Sequence, residues 1–266
     1  MKTPNISVII PVHNGELFLY EALESLRTQS FQNFELIVIN DASTDKTRTI
    51  LDNYIQKKMK KIHLKKRVGV AAALNYGLRY ARGEYIARMD ADDIAYKRRL
   101  EIQIRFLNTH PKVGVVGSWV ELIDGKGKLK GYKKFPTTDR GIKRMLHFAN
   151  PLVHPSVVVR KVLFDQFGDY TEELDGAEDY ELWCRFATHT WFVNLKHILL
   201  QQRLHAKNVS FSNTSRLNFA YARVQFRKVF KYGYPVWELV LGFKSLLSAF
   251  TPRLIQKWVY QKFFGY

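Results

Sequence analysis

The sequence predicts an α/β fold built on a parallel sheet, and three observations support this prediction. Over residues 6–90, short apolar runs rich in β-branched residues alternate with stretches in which apolar residues recur at helical spacing. The short runs are continuously apolar, as strands buried on both faces are. The most strongly apolar of these runs are each followed directly by polar residues. Such alternation connects parallel strands through right-handed helical crossovers.

Four strands and three helices are predicted in this part of the chain. The strands cover residues 6–12, 34–39, 61–64 and 84–89. The first helix covers residues 16–29, and the next two are marked by Ile50, Leu51, Tyr54 and Ile55, and by Val70, Leu74, Leu78 and Ala81.

Polar side chains follow three of the predicted strands. His13 and Asn14 follow the first strand, Asp41 follows the second, and Asp90 and Asp92 follow the fourth. The carboxyl ends of parallel strands meet at one edge of the sheet, where open α/β folds bind ligands. Asn and Asp are also common turn residues, so a turn role stays open for each of them singly. Their shared edge favours a binding site, and an acid after the second strand suits ribose hydroxyls.

The segment "RMDADDI" at residues 88–94 contains Asp90, Asp92 and Asp93 in a chain of formal net charge +18. Carboxylates this close raise one another's pKa unless a cation compensates their charge. A D-x-D after a strand suits Mg²⁺ or Mn²⁺ held by carboxylates and by ligand phosphate oxygens. Neither G-x-G-x-x-G nor G-x-x-x-x-G-K-[ST] occurs, which argues against nicotinamide dehydrogenases and P-loop NTPases. We therefore expect a divalent cation and a nucleotide diphosphate here.

The composition indicates a globular protein with a polyanionic partner. The chain has 266 residues, 46% hydrophobic and 25% charged, enough for one large domain or two half-domains that share a core. Its single cysteine, Cys184, excludes an internal disulfide and fits a reducing compartment. No apolar run in the sequence reaches transmembrane length, and residues 1–14 lack the features of a signal peptide. We expect a cytoplasmic protein whose partner is nucleic acid, an acidic membrane surface or a phosphorylated small molecule.

Five segments of the chain share one pattern. They are "SVIIPVHNGELFLYEALESLRTQSFQNFELIVINDASTD" (7–45), "GVAAALNYGLRYARGEYIARMDADD" (69–93), "VHPSVVVRK" (153–161), "GAEDYELWCRF" (176–186) and "QRLHAKNVS" (202–210). As an ordered set they resemble family 2 glycosyltransferases of the GT-A fold. The resemblance implies a doubly wound, mostly parallel sheet with helices on both faces. It also implies an inverting enzyme of bacterial-type polysaccharide biosynthesis that uses a nucleotide-sugar.

The resemblance implies roles for individual residues. By this resemblance, the residues that contact the nucleotide-sugar are Pro11, His13, Asn14, Asp41, Asp90 and Arg203. The implied metal ligands are Asp92 and His205. Asp179 matches the general base that activates the acceptor hydroxyl. Arg67 and Asn75 are further candidates for the donor pocket, although Arg67 stands where asparagine is frequent and a turn role is open for Asn75. Glu178 and His154 are candidates for binding the acceptor, although Glu178 could instead support a loop and a structural hydrogen-bonding role is open for His154.

Sugar transfer makes two demands on such a site. The leaving diphosphate gains charge, which a divalent cation stabilises. The acceptor hydroxyl loses a proton, which requires a positioned carboxylate or histidine. Asp179 begins a predicted helix, whose N-terminus favours the ionised carboxylate. On local sequence alone Asp179 could instead cap this helix, and Glu181 is expected to be a surface charge.

The C-terminal region is basic and aromatic. Residues 203–266 carry eleven Lys and Arg residues against one acid, Glu238, and Pro235 and Pro252 divide the region into three short helices. Basic aromatic helices suit an anionic membrane surface. Alternatively, their apolar faces pack on the catalytic domain.

The sequence predicts three regions: a nucleotide-sugar-binding half (1–100), an acceptor-binding half (101–212) and a basic helical extension (213–266). The predicted function is metal-dependent transfer of a sugar from a nucleotide-sugar, in particular a UDP-sugar, to a hydroxyl of a glycan or lipid-linked acceptor. The enzyme would be cytoplasmic, with peripheral contact to the inner face of the membrane. An alternative, a sugar-1-phosphate nucleotidyltransferase, would need a glycine-rich basic loop after the first strand, which "PVHNGELF" lacks. A basic nucleic-acid- or membrane-binding protein without catalysis would not need the acidic cluster, and we expect no nucleic-acid partner.

Overall fold

The structure is a computed structural model that describes residues 4–174, 176–204 and 214–250. The strands within these residues are β1 (Ile6–Val12), β2 (Phe34–Asn40), β3 (Met59–His63), β4 (Tyr85–Arg88), β5 (Ile94–Ala95), β6 (Val113–Asp124), β7 (Leu129–Lys133), β8 (Val158–Arg160) and β9 (Trp191–Leu204). The helices are α1 (Leu19–Arg27), α2 (Thr47–Asn53), α3 (Val70–Tyr80), α4 (Arg99–Thr109), α5 (Asp139–Leu146), α6 (Lys161–Phe167), α7 (Glu178–Phe186), α8 (Thr214–Tyr232) and α9 (Leu239–Phe250).

The described strands form one mixed sheet in the order β3-β2-β1-β4-β8-β6-β9-β5, with β7 paired to β6. The pairs β1–β2, β2–β3 and β1–β4 are parallel, as the alternation of strands and helices predicted. β8 is antiparallel to both β4 and β6, whereas β6 and β9 run parallel. The start of β8 therefore lies beside the carboxyl end of β4, which brings the second half of the chain to the edge predicted to bind ligands.

The strands and helices predicted up to residue 90 are confirmed, with shifts of a few residues at their ends. The predicted helix at residues 16–29 begins at Leu19. Its start is delayed because Gly15 N and Glu16 N donate hydrogen bonds to the side chains of Thr47 and Asp45, at 2.8 Å and 3.0 Å. These bonds hold the loop after β1 against the start of α2.

The sheet buries a hydrophobic core on each face, as expected for strands that are apolar throughout. Alternate residues of a strand point to opposite faces. Ile9 of β1 packs among residues of α3, α5, α6, α7 and α8, whereas Val8 and Ile10 pack among residues of α1, α2 and α4. Gly77 allows α3 to approach β1, because a Cβ atom there would lie 2.5 Å from Ile9 Cγ2.

β1 and β4 separate at their carboxyl ends, and this separation opens the edge of the sheet. Their pairing ends at Ile9 and Arg88, and Met89 N donates to Ile9 O at 3.3 Å. Because backbone groups alternate in direction along a strand, Pro11 is the next residue of β1 that faces β4. Proline has no N–H to donate, so it fits at the point where β4 has turned away.

The C-terminal helices pack onto α7. Lys228 of α8 is fully buried, forms an ion pair with Glu238, and donates to Leu146 O at 2.8 Å and to Tyr180 Oη at 3.2 Å. Glu181 of α7 is also fully buried and accepts a hydrogen bond from Tyr232 Oη of α8. The prediction that Glu181 is a surface charge is therefore wrong, because helices distant in sequence cover it.

The prediction of three short helices in this region is also wrong in its lengths. α8 has 19 residues and ends before Pro235, while Pro252 lies outside the described residues. α8 packs mainly against α9 and also against α7, and such tertiary packing stabilises a helix of this length. Within the described ranges the structure contains no helix that combines the length and the apolar character needed to cross a bilayer.

Candidate active site

Hydrogen bonds join the residues that follow β1 and β2. His13 Nδ1 lies 2.7 Å from the Asp41 carbonyl oxygen, and Asp41 N donates to Val12 O at 2.8 Å. Asn14 Oδ1 accepts from Thr44 N at 2.8 Å. The φ angle of Asn14 is 54°, in the left-handed region that Asn adopts more readily than most residues. The structure thus brings His13, Asn14 and Asp41 together at the predicted edge.

The buried Asp41 carboxylate orders the loop before α3. Its two oxygens accept hydrogen bonds from Val68 N at 2.7 Å and from Gly69 N at 3.0 Å. The side chain of Arg67 is exposed immediately before these residues. Asp41 therefore positions the loop that carries Arg67, and contact of either residue with a nucleotide stays a prediction.

Asp90, Asp92 and Asp93 converge in the turn after β4. Each offers a carboxylate oxygen to a group whose atoms all lie within 4.8 Å of one another. Asp93 is 1% exposed and accepts from Arg203 N at 2.9 Å, and its Oδ2 atom has no hydrogen-bond partner among the described residues. Burial and then the charges of Asp90 and Asp92 raise the pKa of Asp93 well above its usual value.

These observations fit a divalent cation. The donor set consists of carboxylate oxygens, which Mg²⁺ and Mn²⁺ prefer. An ion would provide a partner for the buried Asp93 Oδ2 atom and would compensate the repulsion among the three acids. The structure therefore adds Asp93 to Asp92 as a candidate ligand. His205, the other predicted ligand, lies outside the described residues.

Arg203, near the end of β9, holds the acidic turn in place. It is 2% exposed, and its Nε atom donates to Asp92 O at 2.9 Å. Its Nη2 atom contacts Glu21 Oε2 at 2.6 Å, and its Nη1 atom donates to Asp124 O at 3.3 Å. Arg203 thus joins the turn to α1 and β6, and its predicted contact with the diphosphate stays a prediction.

Arg88 lies at the end of β4, beside the acidic turn, and is 6% exposed. Its Nη2 atom contacts Asp90 Oδ1 at 2.6 Å, whereas Nε and Nη1 have no hydrogen-bond partner within the described part of the chain. Burial lowers the pKa of Arg88, but the charge and hydrogen bond of Asp90 outweigh burial and raise it overall. Arg88 is therefore a cation with two buried nitrogen atoms that lack hydrogen-bond partners among the described residues.

Asp179 is the second residue of α7, so the prediction that it begins a helix is confirmed. Its side chain is 15% exposed, and its Oδ2 atom accepts from Asn150 Nδ2 at 2.7 Å. Burial raises the pKa of Asp179, while the Tyr180 N–H, the Arg88 charge and the Asn150 amide oppose this increase. A raised pKa together with hydrogen bonds to the ionised form suits a group that accepts a proton near neutral pH.

Glu178 and His154 lie beside Asp179. His154 Nδ1 is 3.9 Å from both Glu178 Oε1 and Asp179 Oδ2, and His154 Nε2 is 2.9 Å from Tyr170 Oη. Burial, followed by the charge of Arg88, lowers the pKa of His154 well below its usual value. The imidazole is thus neutral at pH 7, and its contacts with the two acids are not ion pairs. The structure brings both predicted acceptor residues next to the predicted base.

The antiparallel pairing of β8 with β4 explains this arrangement. Arg88 N donates to Val157 O at 3.2 Å, and the 3₁₀ turn that begins at His154 immediately precedes this residue. The Arg88 charge acts on both His154 and Asp179. Arg88 therefore links the acidic turn to the cluster of Glu178, Asp179 and His154.

Two predicted donor residues have structural partners in this fold. Pro11 is buried within β1. Asn75 of α3 donates to Tyr170 O at 2.9 Å and to Glu172 Oε1 at 3.0 Å, and it accepts from Tyr170 N at 3.0 Å. Asn75 thus holds the segment whose tyrosine contacts His154. Donor contact by Pro11 or Asn75 stays a prediction.

Sequence reasoning missed Arg88, Asn150 and Tyr170. Arg88 did carry a signal, because it is a charged residue in the otherwise apolar strand "YIARM", two positions before Asp90. Asn150 and Tyr170 lie in irregular segments between elements, where neither periodicity nor a motif identifies them.

The fold and the site can be compared with those of known proteins. The family model "Glycosyl transferase family 2" matches residues 7–166. EpsE of Bacillus subtilis (strain 168), which is named as a glycosyltransferase, is 30% identical over 97% of this chain and 94% of its own length.

Two solved structures share the fold. S. aureus TarS in complex with UDP-GlcNAc has a TM-score of 0.72 and 21% identity, covering 91% of this chain and 70% of the TarS chain. The mannosyltransferase PcManGT from Pyrobaculum calidifontis, solved with GDP-Man and Mn²⁺, has a TM-score of 0.66 and 18% identity, covering 100% of this chain and 82% of its own. The family model matches more than half of the chain. The chain is an enzyme that belongs to glycosyl transferase family 2, with the GT-A fold.

Proposed function

We propose that this glycosyltransferase moves a sugar from a UDP-sugar to a hydroxyl of a glycan or lipid-linked acceptor in the cytoplasm, with inversion at the anomeric carbon. One observation carries the proposal. Arg88 contacts Asp90 of the acidic turn at 2.6 Å, and its charge also opposes the increase that burial causes in the pKa of Asp179, a largely buried carboxylate suited to accept a proton. A leaving-group site and a base site are thus adjacent at one edge of the sheet.

The acidic turn belongs to the donor side. Asp90, Asp92 and Asp93 would hold Mn²⁺ or Mg²⁺, which supplies positive charge to the leaving diphosphate. His13, Asn14 and Arg67 occupy the adjoining ends of the loops, where the base and ribose would bind. Support for a nucleotide-sugar donor comes from TarS, solved with UDP-GlcNAc, and from PcManGT, solved with GDP-Man and Mn²⁺.

Asp179 belongs to the acceptor side. As the acceptor oxygen forms a bond to the anomeric carbon, the bond from that carbon to the diphosphate breaks and the hydroxyl proton passes to the Asp179 carboxylate. Attack opposite the leaving group in one displacement inverts the anomeric configuration, as in inverting glycosidases. Asn150 and the charge of Arg88 stabilise the ionised form of Asp179 before the transfer. His154 and Glu178, which lie beside Asp179, would contact the acceptor.

Arg88 serves both sides of the site. Its Nη2 atom holds Asp90, so the acidic turn is oriented by the same group whose charge acts on Asp179. The Nε and Nη1 hydrogens lack partners in the described structure, and unsatisfied buried donors are costly. Oxygen atoms of the bound donor sugar or diphosphate would satisfy them.

Isothermal titration tests the donor site. UDP, with GDP and TDP for comparison, is titrated with and without Mn²⁺ into wild type, Asp92→Asn and Asp165→Asn. Asp165 is a matched control, because it is an exposed aspartate paired with Lys161 on α6. We expect Mn²⁺-dependent UDP binding that weakens by about tenfold or more in Asp92→Asn only, since one of few metal ligands is lost. Failure of all three nucleotides to bind, or binding indifferent to metal and to Asp92, would contradict the proposed site.

Product analysis tests the base. UDP-sugars are incubated with the enzyme and water as acceptor, and NMR identifies the anomer of the released sugar. We expect the anomer of inverted configuration, and a rate about 10²–10⁴-fold lower in Asp179→Asn with unchanged UDP affinity. Retention of configuration, or full activity of Asp179→Asn, would exclude Asp179 as the base of a single displacement.

A further inference from the structure

An apolar stripe runs along the outer face of α9 and the turn that precedes it. Its members recur at helical spacing and are largely exposed to solvent; they are Val236, Trp237, Val240, Phe243, Leu247 and Phe250. Leu247 is 71% exposed and Phe250 is 74% exposed, so neither side chain belongs to the hydrophobic core. A contiguous apolar surface of this kind marks an interaction site.

The stripe has a fixed orientation because the opposite face of α9 packs on α8. A Cβ atom at Gly242 would lie 3.2 Å from the ring of Phe226, so the helices approach closely there. Asn218 Nδ2 donates to Ser248 Oγ at 3.1 Å, and the Phe219 and Phe250 rings pack edge to face at 5.3 Å between centroids. α9 is therefore a docked helix, antiparallel to α8.

The same unit is joined to the helix that carries Asp179. The buried Lys228–Glu238 ion pair connects α8 to the turn before α9, and Lys228 Nζ and Gln225 Nε2 both donate to Tyr180 Oη at 3.2 Å. Tyr180 follows Asp179 in α7. The stripe thus has a defined position relative to the active site.

The charge around the stripe identifies its occupant. In residues 214–250 the sole acid of the sequence is Glu238, which is fully buried and paired with Lys228. Lys231 and Lys244 are exposed on the same helical pair, Lys244 within the stripe itself. A second copy of this chain would set these cations against one another, whereas an anionic lipid surface offers both apolar chains and negative charge.

The length of α9 determines how it can meet a bilayer. The twelve described residues of α9 extend about 18 Å, less than the roughly 30 Å of a hydrocarbon core. This described part of the helix is thus too short to span a bilayer but can lie in the plane of the interface. Trp237, 48% exposed at one end of the stripe, suits the headgroup region.

We propose that the apolar stripe of α9 binds the surface of an anionic bilayer, with α9 parallel to the membrane and Lys231 and Lys244 against the headgroups. The interaction does not depend on the reaction proposed above. It would hold α7 and the acceptor side of the active site near lipid-linked molecules.

Vesicle flotation of the full chain tests the proposal. Wild type, Phe243→Glu/Leu247→Glu and a control, Leu17→Glu/Ile55→Glu, are mixed with phosphatidylcholine vesicles that contain or lack phosphatidylglycerol. The control residues are also highly exposed, at 71% and 91%, but lie near α1 and α2. We expect wild type and control to float with anionic vesicles. The stripe variant should bind these vesicles at least about tenfold more weakly, because each new carboxylate repels the headgroups and removes an apolar contact. A Lys231→Glu/Lys244→Glu variant should lose the preference for anionic vesicles.

Thermal unfolding of each variant shows whether the fold is intact, and the substituted side chains are exposed enough for it to remain so. Equal flotation of wild type and the stripe variant would overturn the proposal, as would no flotation of wild type. Equal binding to neutral and anionic vesicles would overturn its electrostatic part. A wild-type dimer in sedimentation that the stripe variant abolishes, without vesicle binding, would assign the stripe to self-association instead.

Discussion

Replacing Asn150 with alanine should move the pH dependence of the reaction. Asn150 Nδ2 donates to Asp179 Oδ2 at 2.7 Å, and this bond favours the ionised carboxylate. Burial raises the pKa of Asp179, and Asn150 is among the groups that oppose the increase. Without the amide, the pKa of Asp179 rises further. A base must be ionised to accept a proton, so activity at a given acidic pH should fall in the variant.

The size of the effect follows from the charge-assisted hydrogen bond. Such bonds contribute about 1.5–3 kcal/mol, and one pKa unit corresponds to about 1.4 kcal/mol. Because the Asp179 side chain is 15% exposed, water can hydrogen-bond to it in the variant and replace part of the stabilisation that the Asn150 amide provides. We therefore expect the acidic limb of the profile to shift upward by about one pH unit.

The assay measures UDP release from a UDP-sugar with water as acceptor, as kcat/KM across a range of pH. Asn53→Ala, at an exposed position in α2, is the control and should follow the wild-type curve. Asp179→Asn should abolish the limb together with most of the activity. An Asn150→Ala profile superimposable on wild type, or displaced toward lower pH, would refute the assignment of Asp179 as the titrating base. The variant also loses the bond that Asn150 Oδ1 accepts from Leu152 N, and a normal unfolding midpoint would show that this loss does not disturb the fold.

Three further predictions follow from the structure. Arg88→Lys should preserve UDP affinity within about threefold but lower the rate of transfer about 10–100-fold, because lysine cannot hold Asp90 and also replace the N–H groups of Nε and Nη1. An equal fold-loss in UDP affinity and in transfer rate would contradict this. Lys228→Met should destabilise the fold by about 3–5 kcal/mol in urea unfolding, because the fully buried Glu238 then loses its lysine partner. A loss under about 1 kcal/mol would contradict this and would mean that His147 Nδ1, 2.6 Å from Glu238 Oε1, is a sufficient partner for the carboxylate. Gly83→Ala should cost more stability than Gly127→Ala, because its Cβ atom would lie 2.5 Å from Ser7 N whereas Gly127, at φ +80°, has open space; we expect above about 2 kcal/mol against about 1 kcal/mol, and the reverse order would refute the steric argument.

Local patterns were sufficient for the first half of the fold. The apolar runs at β1, β2 and β4 and the helical spacing in α1 and α3 are properties of neighbouring residues, so they could be identified in the sequence. Parallel pairing then followed from the alternation, and it placed His13, Asp41 and Asp90 at one edge.

The second half of the site depends on pairings between distant segments. No local pattern indicates that β8 pairs antiparallel with β4, yet this pairing places His154 and Asp179 near Arg88. For the same reason the sequence could not show that Asn75 holds the segment of Tyr170.

The burial of charged side chains shows most clearly which features the sequence determines and which features require the tertiary structure. The sequence by itself determined the acidic turn, the helix that begins with Glu178 and Asp179, and the basic, aromatic character of the C-terminal helices, because these are properties of composition and spacing. The tertiary structure alone decided that Glu181 and Lys228 are buried, that Nε and Nη1 of Arg88 lack hydrogen-bond partners among the described residues, and that one face of α9 is exposed. The physical reason is that solvation depends on which distant elements cover a side chain, and coverage is a property of the packed chain.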